Sequence, residues 1–147
     1  MKYLFLILAL LGQQTASARI GETIEQCDKR YGKPIAFQDA QGALVTPTRI
    51  YRKGDFEITV FQLNGRCEAM MYTNIVTGKL LSTEIMKFLE ANGRGWDLFE
   101  GRKDAFMCNK RTLANIVNES LQVTSAKMNK YLFDQEAKST RNRTKGF

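Results

Sequence analysis

The sequence predicts an α+β fold in which antiparallel β-meanders pack against short helices, in the order α-βββ-α-βββ(β)-α. Three observations lead to this prediction. An Asn-Gly dipeptide separates two strand-like runs, which is the strongest short signal for a β-hairpin. Capped amphipathic segments precede and follow this hairpin. Short alternating runs recur in the second half of the chain, so a duplicated αβββ unit is one interpretation of the order.

The first eighteen residues have the composition of a secretory signal peptide. Lys2 supplies a positive charge, Tyr3 to Leu11 form an apolar run, and Ala16-Ser17-Ala18 has the small-x-small pattern that signal peptidases accept. The apolar run is shorter than the roughly 20 residues that a membrane-spanning helix needs. We therefore expect cleavage after Ala18 and an exported product, periplasmic or extracellular, whose mature chain has no transmembrane span.

The first helix is predicted over Ile24–Tyr31. Thr23 and Gln26 have the spacing of a capping box at its start. Gly32 follows the last helical residue and is typical of a helix end. The stretch from Phe37 to Pro47 is mostly polar and is predicted as a loop.

The hairpin is predicted from Phe56–Leu63 and Arg66–Thr73, joined at Asn64-Gly65, with Thr48–Arg52 as a third strand on its edge. A two-residue loop sets Leu63 opposite Arg66 and fixes the register of every other pair. In that register one face holds the predicted core residues Phe56, Ile58, Val60, Cys67, Ala69 and Met71.

The other face of this hairpin is the candidate interface. It carries four large apolar side chains among charged ones: Phe61, Leu63, Met70 and Tyr72. Exposed apolar patches of this kind mark sites of protein–protein contact. The alternative is that the second half of the chain folds over these residues and makes a second core layer.

The second half begins with a helix capped by Ser82 and closed by Gly93. A last helix is predicted over Lys127–Lys138, because Met128, Tyr131 and Leu132 share one helical face. Residues 19–138 form one predicted globular domain, and residues 139–147 a basic flexible tail. Four strands are predicted between the second helix and the last helix: Trp96–Phe99, Asp104–Asn109, Thr112–Val117 and Leu121–Thr124.

The charge of the chain is concentrated at its C-terminal end. There are 22 basic and 15 acidic side chains, and loss of Lys2 with the signal lowers the net charge from +7 to +6. The predicted tail could make weak contact with an anionic surface, or it could be a solvated terminus. No basic and aromatic constellation indicates nucleic-acid binding. The tail cations are Lys138, Arg141, Arg143 and Lys145.

The absence of histidine restricts the chemistry. It excludes Ser-His-Asp and Cys-His catalysis and His-ligated zinc. No cofactor motif and no metal-ligand spacing occurs, so we expect neither a cofactor nor a metal, and we name no catalytic residue. Asp97, Glu100 and Asp104 lie near Trp96, as in a carboxylate-dependent polysaccharide enzyme, but their spacing around a turn more simply indicates a solvated loop.

The three cysteines are all predicted to point inward. A disulfide between Cys27 and Cys67 would attach the first helix to the sheet and add about 2–4 kcal/mol of stability. The alternative is that Cys27, Cys67 and Cys108 are small buried side chains with free thiols.

The start of the mature chain carries a family resemblance. Gly21-Glu22-Thr23 followed by Arg30-Tyr31-Gly32-Lys33-Pro34 resembles small exported bacterial proteins that open G-x-T…Y-G-x-P. It is also similar to the helix opening of the BamE/SmpA-like outer-membrane assembly lipoproteins, although those proteins carry a lipobox cysteine that this chain lacks. The element order is loosely similar to duplicated helix–sheet inhibitors of secreted hydrolases, a fold-level likeness only.

These observations predict a small secreted or periplasmic protein without enzymatic activity that binds another envelope or secreted protein. A proteinaceous inhibitor of a secreted hydrolase is the first alternative. A carboxylate-dependent enzyme acting on a polysaccharide is the second.

Overall fold

The computed structural model describes residues 19–41, 46–109 and 112–144. The predicted signal peptide, residues 1–18, lies outside the described residues. The helices and strands are α1 (Ile24–Tyr31), β1 (Ala36–Gln38), β2 (Thr48–Lys53), β3 (Phe56–Leu63), β4 (Arg66–Asn74), α2 (Ser82–Asn92), β5 (Trp96–Leu98), β6 (Ala105–Cys108), β7 (Thr112–Val117), β8 (Ser120–Ser125) and α3 (Ala126–Thr144).

The strands form one antiparallel sheet in the order β1-β2-β3-β4-β8-β7-β6-β5. Each half of the chain is a helix followed by a four-stranded meander, and the two meanders meet where β4 pairs with β8. The α+β class and the alternation of helices with meanders are confirmed. The repeated unit has one strand more than the predicted αβββ, because Phe37 and Gln38, predicted as loop, join Ala36 in the edge strand β1.

The β3–β4 hairpin contains a bulge that the two-residue turn does not reveal. Gln62 pairs with Cys67, but Phe61 pairs with Ala69, so Glu68 is an extra residue in β4. Beyond the bulge, the side chains of β4 exchange faces relative to the predicted register. The predicted pairing of Phe61 with Glu68 is therefore wrong, and so are the faces assigned to Ala69–Tyr72.

The main core lies between the sheet and the two helices α1 and α2. Ile24 and Cys27 of α1 and Leu89 of α2 are buried in the same cluster. Two rows of paired residues cross the sheet beneath these helices. One row is Val60, Met70, Val123, Ala114 and Phe106, and the other is Tyr51, Ile58, Tyr72, Leu121 and Ile116.

The start of α1 is attached to β4 by main-chain hydrogen bonds. The Gly21 N–H donates to the Cys67 carbonyl at 2.6 Å, and the Cys67 N–H donates to the Glu22 carbonyl at 2.8 Å. The predicted capping box is present, with the Thr23 hydroxyl accepting from the Gln26 N–H. These bonds place α1 directly over the first residues of β4.

The second helix begins at Ser82, but its N-cap residue is Leu81 rather than Ser82. The cap is made by Glu84, whose carboxylate accepts from the Leu81 N–H at 2.7 Å. A carboxylate in the first turn also interacts favourably with the positive end of the helix dipole and so stabilises the helix. Ser82 was predicted as the cap because Ser is common there, yet the glutamate supplies the acceptor.

The last helix, α3, runs from Ala126 to Thr144. It includes residues 139–144, which were predicted as a flexible tail, whereas Lys145 lies outside the described residues. Met128 is buried, and Leu132 and Phe133 are exposed. Lys138 and Arg141, two of the cations assigned to the C-terminal tail, are thus held on a helix.

Among the described residues, no helix is both long enough and apolar enough to cross a membrane.

Candidate binding cleft

A cleft of about 920 Å³ opens between α1 and α2. Its floor is formed by β3 and β4, and its walls by the end of α1 and the outer turns of α2. Clefts of this size accommodate ligands or the side chains of a protein partner. The cleft is lined by Arg19, Tyr31, Lys53, Phe56, Ile58, Tyr72, Met86, Lys87, Phe88, Glu90, Ala91, Gly93, Arg94, Gly95 and Trp96.

Five of the lining residues are aromatic, and several of them pack against one another. The rings of Tyr72 and Phe88 stack at 4.2 Å with an angle of 15°, and Phe56 meets Phe88 edge-on at 5.2 Å. The Asn92 amide donates to the Tyr72 hydroxyl at 2.9 Å and fixes the ring in place. Burial raises the pKa of Tyr31, so this phenol stays neutral at physiological pH. The floor of the cleft is therefore rigid, flat-sided and uncharged.

The rim of the cleft is strongly basic. Four cations surround it, Arg19, Lys53, Lys87 and Arg94, against the single acid Glu90. All four cations are exposed, and none of them forms an ion pair within the described part of the chain. Unpaired cations around a concave apolar surface attract negative charge.

Trp96 lies at the α2 end of the cleft. Its indole N–H donates to the Leu89 carbonyl at 2.6 Å and to the Gly93 carbonyl at 3.2 Å. These carbonyls end the helix, so the indole both caps α2 and lines the cleft. Trp96 is also the only tryptophan in the sequence, which makes it a fluorescent reporter of the site.

Gly93 is held against Cys108 at the same end of the cleft. A Cβ atom at residue 93 would lie 3.0 Å from the Cys108 Sγ, although the extended backbone there suits any residue. The Sγ has little freedom to move, because the thiol donates to the Arg94 carbonyl at 2.9 Å. The glycine is therefore required by packing and not by its backbone angles.

We expect Gly93→Ala to lower the free energy of unfolding by about 1–2 kcal/mol through overpacking. Combining it with Cys108→Ala removes the contact, so the double variant should match Cys108→Ala alone to within about 0.5 kcal/mol. Urea unfolding followed by circular dichroism measures all three variants. Equal stability of Gly93→Ala and the unsubstituted protein would contradict this packing argument.

The four residues predicted as an interface do not share one face. Met70 and Tyr72 are buried under the helices, with 0% and 1% of their surface exposed, because the bulge turns them inward. Phe61 and Leu63 remain on the opposite face and are half-buried. Only Tyr72 of the four belongs to the cleft, where it forms part of the floor.

All three cysteines are buried, as predicted, and all are free thiols in this structure. Cys27 of α1 and Cys67 of β4 belong to the same core cluster, and their thiols are in contact. That contact and burial raise the pKa of Cys67. The predicted pair is thus brought together, and its oxidation state remains a prediction.

The predicted acidic cluster does not form a site. Asp104 is bound by Arg102 through two hydrogen bonds of 3.0 and 3.2 Å, and these bonds lower the pKa of its carboxyl group. A general acid requires the opposite shift. Asp97 follows Trp96 in β5, so its side chain points to the opposite face of the sheet. Neither residue lines the cleft, and Glu100 does not line it either.

Within the described ranges, no group of three or more Cys, Asp or Glu side chains is arranged to hold a metal ion. The cleft itself offers aromatic surface and cations, not ligands for a metal.

The sequence did not reveal the cleft. Tyr31 and Phe88 belong to two separate predicted helices, and Trp96 was considered only as a strand residue with acidic neighbours. The available signal was that each helix ends in a glycine close to aromatic residues, at Gly32 and at Gly93. That signal has no meaning until the sheet brings the two helices side by side.

A scan against protein-family models, a search of curated proteins and a search of solved structures found no match to this chain.

Proposed function

We propose that this chain is an exported, non-enzymatic binding protein. Its cleft between α1 and α2 binds a segment of another envelope or secreted protein that carries a large aromatic or aliphatic side chain with carboxylates beside it. The observation that carries this proposal is the combination of an aromatic floor with four rim cations and one acid. The apolar floor would bury a large side chain of the partner. The rim would select partners with carboxylates beside that side chain.

Export is the part of the proposal that rests on sequence alone. The leader-like residues 1–18 support it through their charge, apolar run and small-residue end. In that compartment the partner would be a secreted protein or a protein of the cell envelope. An inhibitor of a secreted hydrolase is a special case of this function, in which the bound segment belongs to the enzyme.

A binding function is favoured over a carboxylate-dependent enzyme by the chemistry of the two candidate sites. The concave site has four cations and one carboxylate, and the best-placed acid outside it, Asp104, is ion-paired with Arg102. Glycoside hydrolysis needs two carboxylates facing one cleft. The cleft does not provide this pair.

The C-terminal cations are a separate and weaker proposal. Lys138 is exposed on α3, as a contact with an anionic surface requires, and Arg141 lies one turn further along the same helix. Contact through a few such charges is weak and is reduced by salt. A charge reversal that includes Lys138 therefore serves as the control that distinguishes nonspecific attraction from binding in the cleft.

The test uses the emission of Trp96 as a readout from within the cleft. The mature chain is titrated with short capped peptides that contain Phe and Leu flanked by aspartates, and with matched peptides in which lysines replace the aspartates or alanines replace Phe and Leu. We expect a saturable change in emission with the acidic apolar peptide only. Equal responses to the acidic and basic peptides would overturn the proposed selectivity.

Charge reversal at the rim should weaken this binding. We expect the double variant Lys87→Glu/Arg94→Glu to bind the acidic peptide at least about tenfold more weakly, because two attractions become repulsions. The control is Lys79→Glu/Lys138→Glu, which makes the same change of charge at exposed residues outside the cleft. If both variants lose affinity equally, the attraction is general and the cleft is not the site.

A further inference from the structure

We propose that Cys27 and Cys67 are a built-in disulfide site that closes when the mature chain folds under oxidising conditions. The bond would join the middle of α1 to the start of β4 and leave Cys108 as a free thiol. The inference goes beyond the proposed function and does not depend on whether the cleft binds a partner.

The backbone around the two cysteines is already fixed at short range. The main chain before α1 pairs with β4 at Cys67 itself, through the bonds from Gly21 and to Glu22, and Thr23 bridges to Arg66. Cys27 lies one helical turn beyond Thr23, about 6 Å along the axis. Disulfides require α-carbons within about 7 Å of each other, which this arrangement brings within reach.

The side chains point toward each other inside the core. Both cysteines have 0% of their surface exposed, and they belong to one cluster with Ile24 and Val60. A buried pair of thiols has no solvent contact that would favour a different rotamer. Closing the bond would replace the contact between the two thiols and the weak hydrogen bond that the Cys67 thiol donates to the Ala69 carbonyl at 3.7 Å.

Cys108 is excluded as a partner by its position in the sheet. It ends β6, which is separated from β4 by β8 and β7. Three strand spacings amount to about 14 Å, twice the reach of a disulfide. Its thiol is also engaged with the Arg94 carbonyl at the far end of α2.

The oxidation balances by exchange with a low-molecular-weight disulfide such as oxidised glutathione. One cysteine thiolate attacks that disulfide and releases one glutathione as thiolate, leaving a mixed disulfide on the protein. The second cysteine then displaces the other glutathione and forms the Cys27–Cys67 bond. Two protein thiols are oxidised, one glutathione disulfide is reduced to two thiols, and the protons of the cysteines end on the glutathione.

The bond should form during folding and not afterwards. Exchange requires a thiolate that an external disulfide can reach, and both thiols are 0% exposed in the folded core. The same burial would protect the finished bond from external reductants. Structural disulfides of exported proteins have this resistance.

The test is a count of alkylated thiols after refolding. The mature chain, denatured and reduced, is refolded in a glutathione redox buffer, denatured again without reductant and treated with iodoacetamide. Mass spectrometry should find one alkylated cysteine, Cys108, with the rest of the chain lighter by two hydrogen atoms. Cys108→Ser should show no alkylation, and a tryptic digest should contain the linked Cys27 and Cys67 peptides.

Three alkylated cysteines, or a link that includes Cys108, would overturn the proposal. Thermal unfolding provides a second measurement: prior full reduction should lower the midpoint of the unsubstituted protein and of Cys108→Ser, but not that of Cys27→Ala/Cys67→Ala. If the double variant does not fold, the alkylation count on the unsubstituted protein still decides the result.

Discussion

Replacing Tyr72 by alanine is expected to lower the free energy of unfolding by about 3–5 kcal/mol, the range found for large-to-small changes at buried aromatic residues. Tyr72 is 1% exposed and stacks on Phe88 at 4.2 Å. Its hydroxyl accepts from the Asn92 amide at 2.9 Å, and that asparagine caps the end of α2 with a second bond to the Phe88 carbonyl. The substitution therefore removes packing from the sheet and one of the two acceptors of the partly buried Asn92 amide.

Two control variants divide this effect into its parts. Tyr72→Phe keeps the ring and should cost only about 1 kcal/mol, since it removes the bond from Asn92 and a weak bond donated to the Met70 sulfur at 3.4 Å. Phe61→Ala, on the opposite face, should cost less than Tyr72→Ala because Phe61 is only half-buried. Chemical denaturation measures all three. In the unbulged register Phe61 and Tyr72 share one face, so a loss for Phe61→Ala as large as that for Tyr72→Ala would contradict the observed pairing.

The face of β4 on which Tyr72 lies was predicted wrongly from the sequence. The Asn64-Gly65 turn and both strands were predicted within a residue or two, because turn chemistry and alternation are local signals. The bulge at Glu68 has no such signal. The Glu68 side chain bonds Ser125 of β8 and Lys127 of α3, nearly sixty residues further along the chain. A local pattern cannot contain that information, and one extra residue was enough to exchange the two faces.

The helix predictions show the same division between local and long-range causes. Thr23, Gln26 and Gly32 lie within or beside α1, and its limits were predicted correctly as Ile24–Tyr31. The edge strand β1 was missed because Ala36–Gln38 has no alternating apolar pattern and is ordered only by its pairing with β2. The cleft was missed for a related reason, since its aromatic residues come from elements that meet only in the folded sheet.

Ser125→Ala is expected to lower the free energy of unfolding by about 2–3 kcal/mol, more than an ordinary surface serine would. The Ser125 hydroxyl accepts from the Met128 N–H at 3.0 Å and so caps α3. It also donates to the Glu68 carboxylate at 2.7 Å, where Glu68 is only 6% exposed. Its loss removes a helix cap and one of the hydrogen bonds that stabilise a buried charge.

The matched control lies at the other end of the same strand. Ser120 is equally buried, and among the described residues its hydroxyl bonds the Thr73 hydroxyl alone, at 2.8 Å. Ser120→Ala should therefore cost about 1 kcal/mol, the value of a neutral pair. Urea unfolding measures both variants, and amide exchange should accelerate in the first turn of α3 for Ser125→Ala alone.

A double-mutant comparison of Ser125 and Glu68 distinguishes the two roles of the serine, as a hydrogen-bond donor to the carboxylate and as the cap of α3. If the serine acts partly through the carboxylate, then Ser125→Ala should cost at least about 0.5–1 kcal/mol less in a Glu68→Gln background. Lys127, whose ammonium lies 3.3 Å from the Glu68 carboxylate, is half-exposed and cannot replace the lost hydroxyl without leaving solvent. Equal costs of Ser125→Ala in both backgrounds would show that the serine acts only as a helix cap. In that case the bulge in β4 would be stabilised by its strand pairing and not by this buried network.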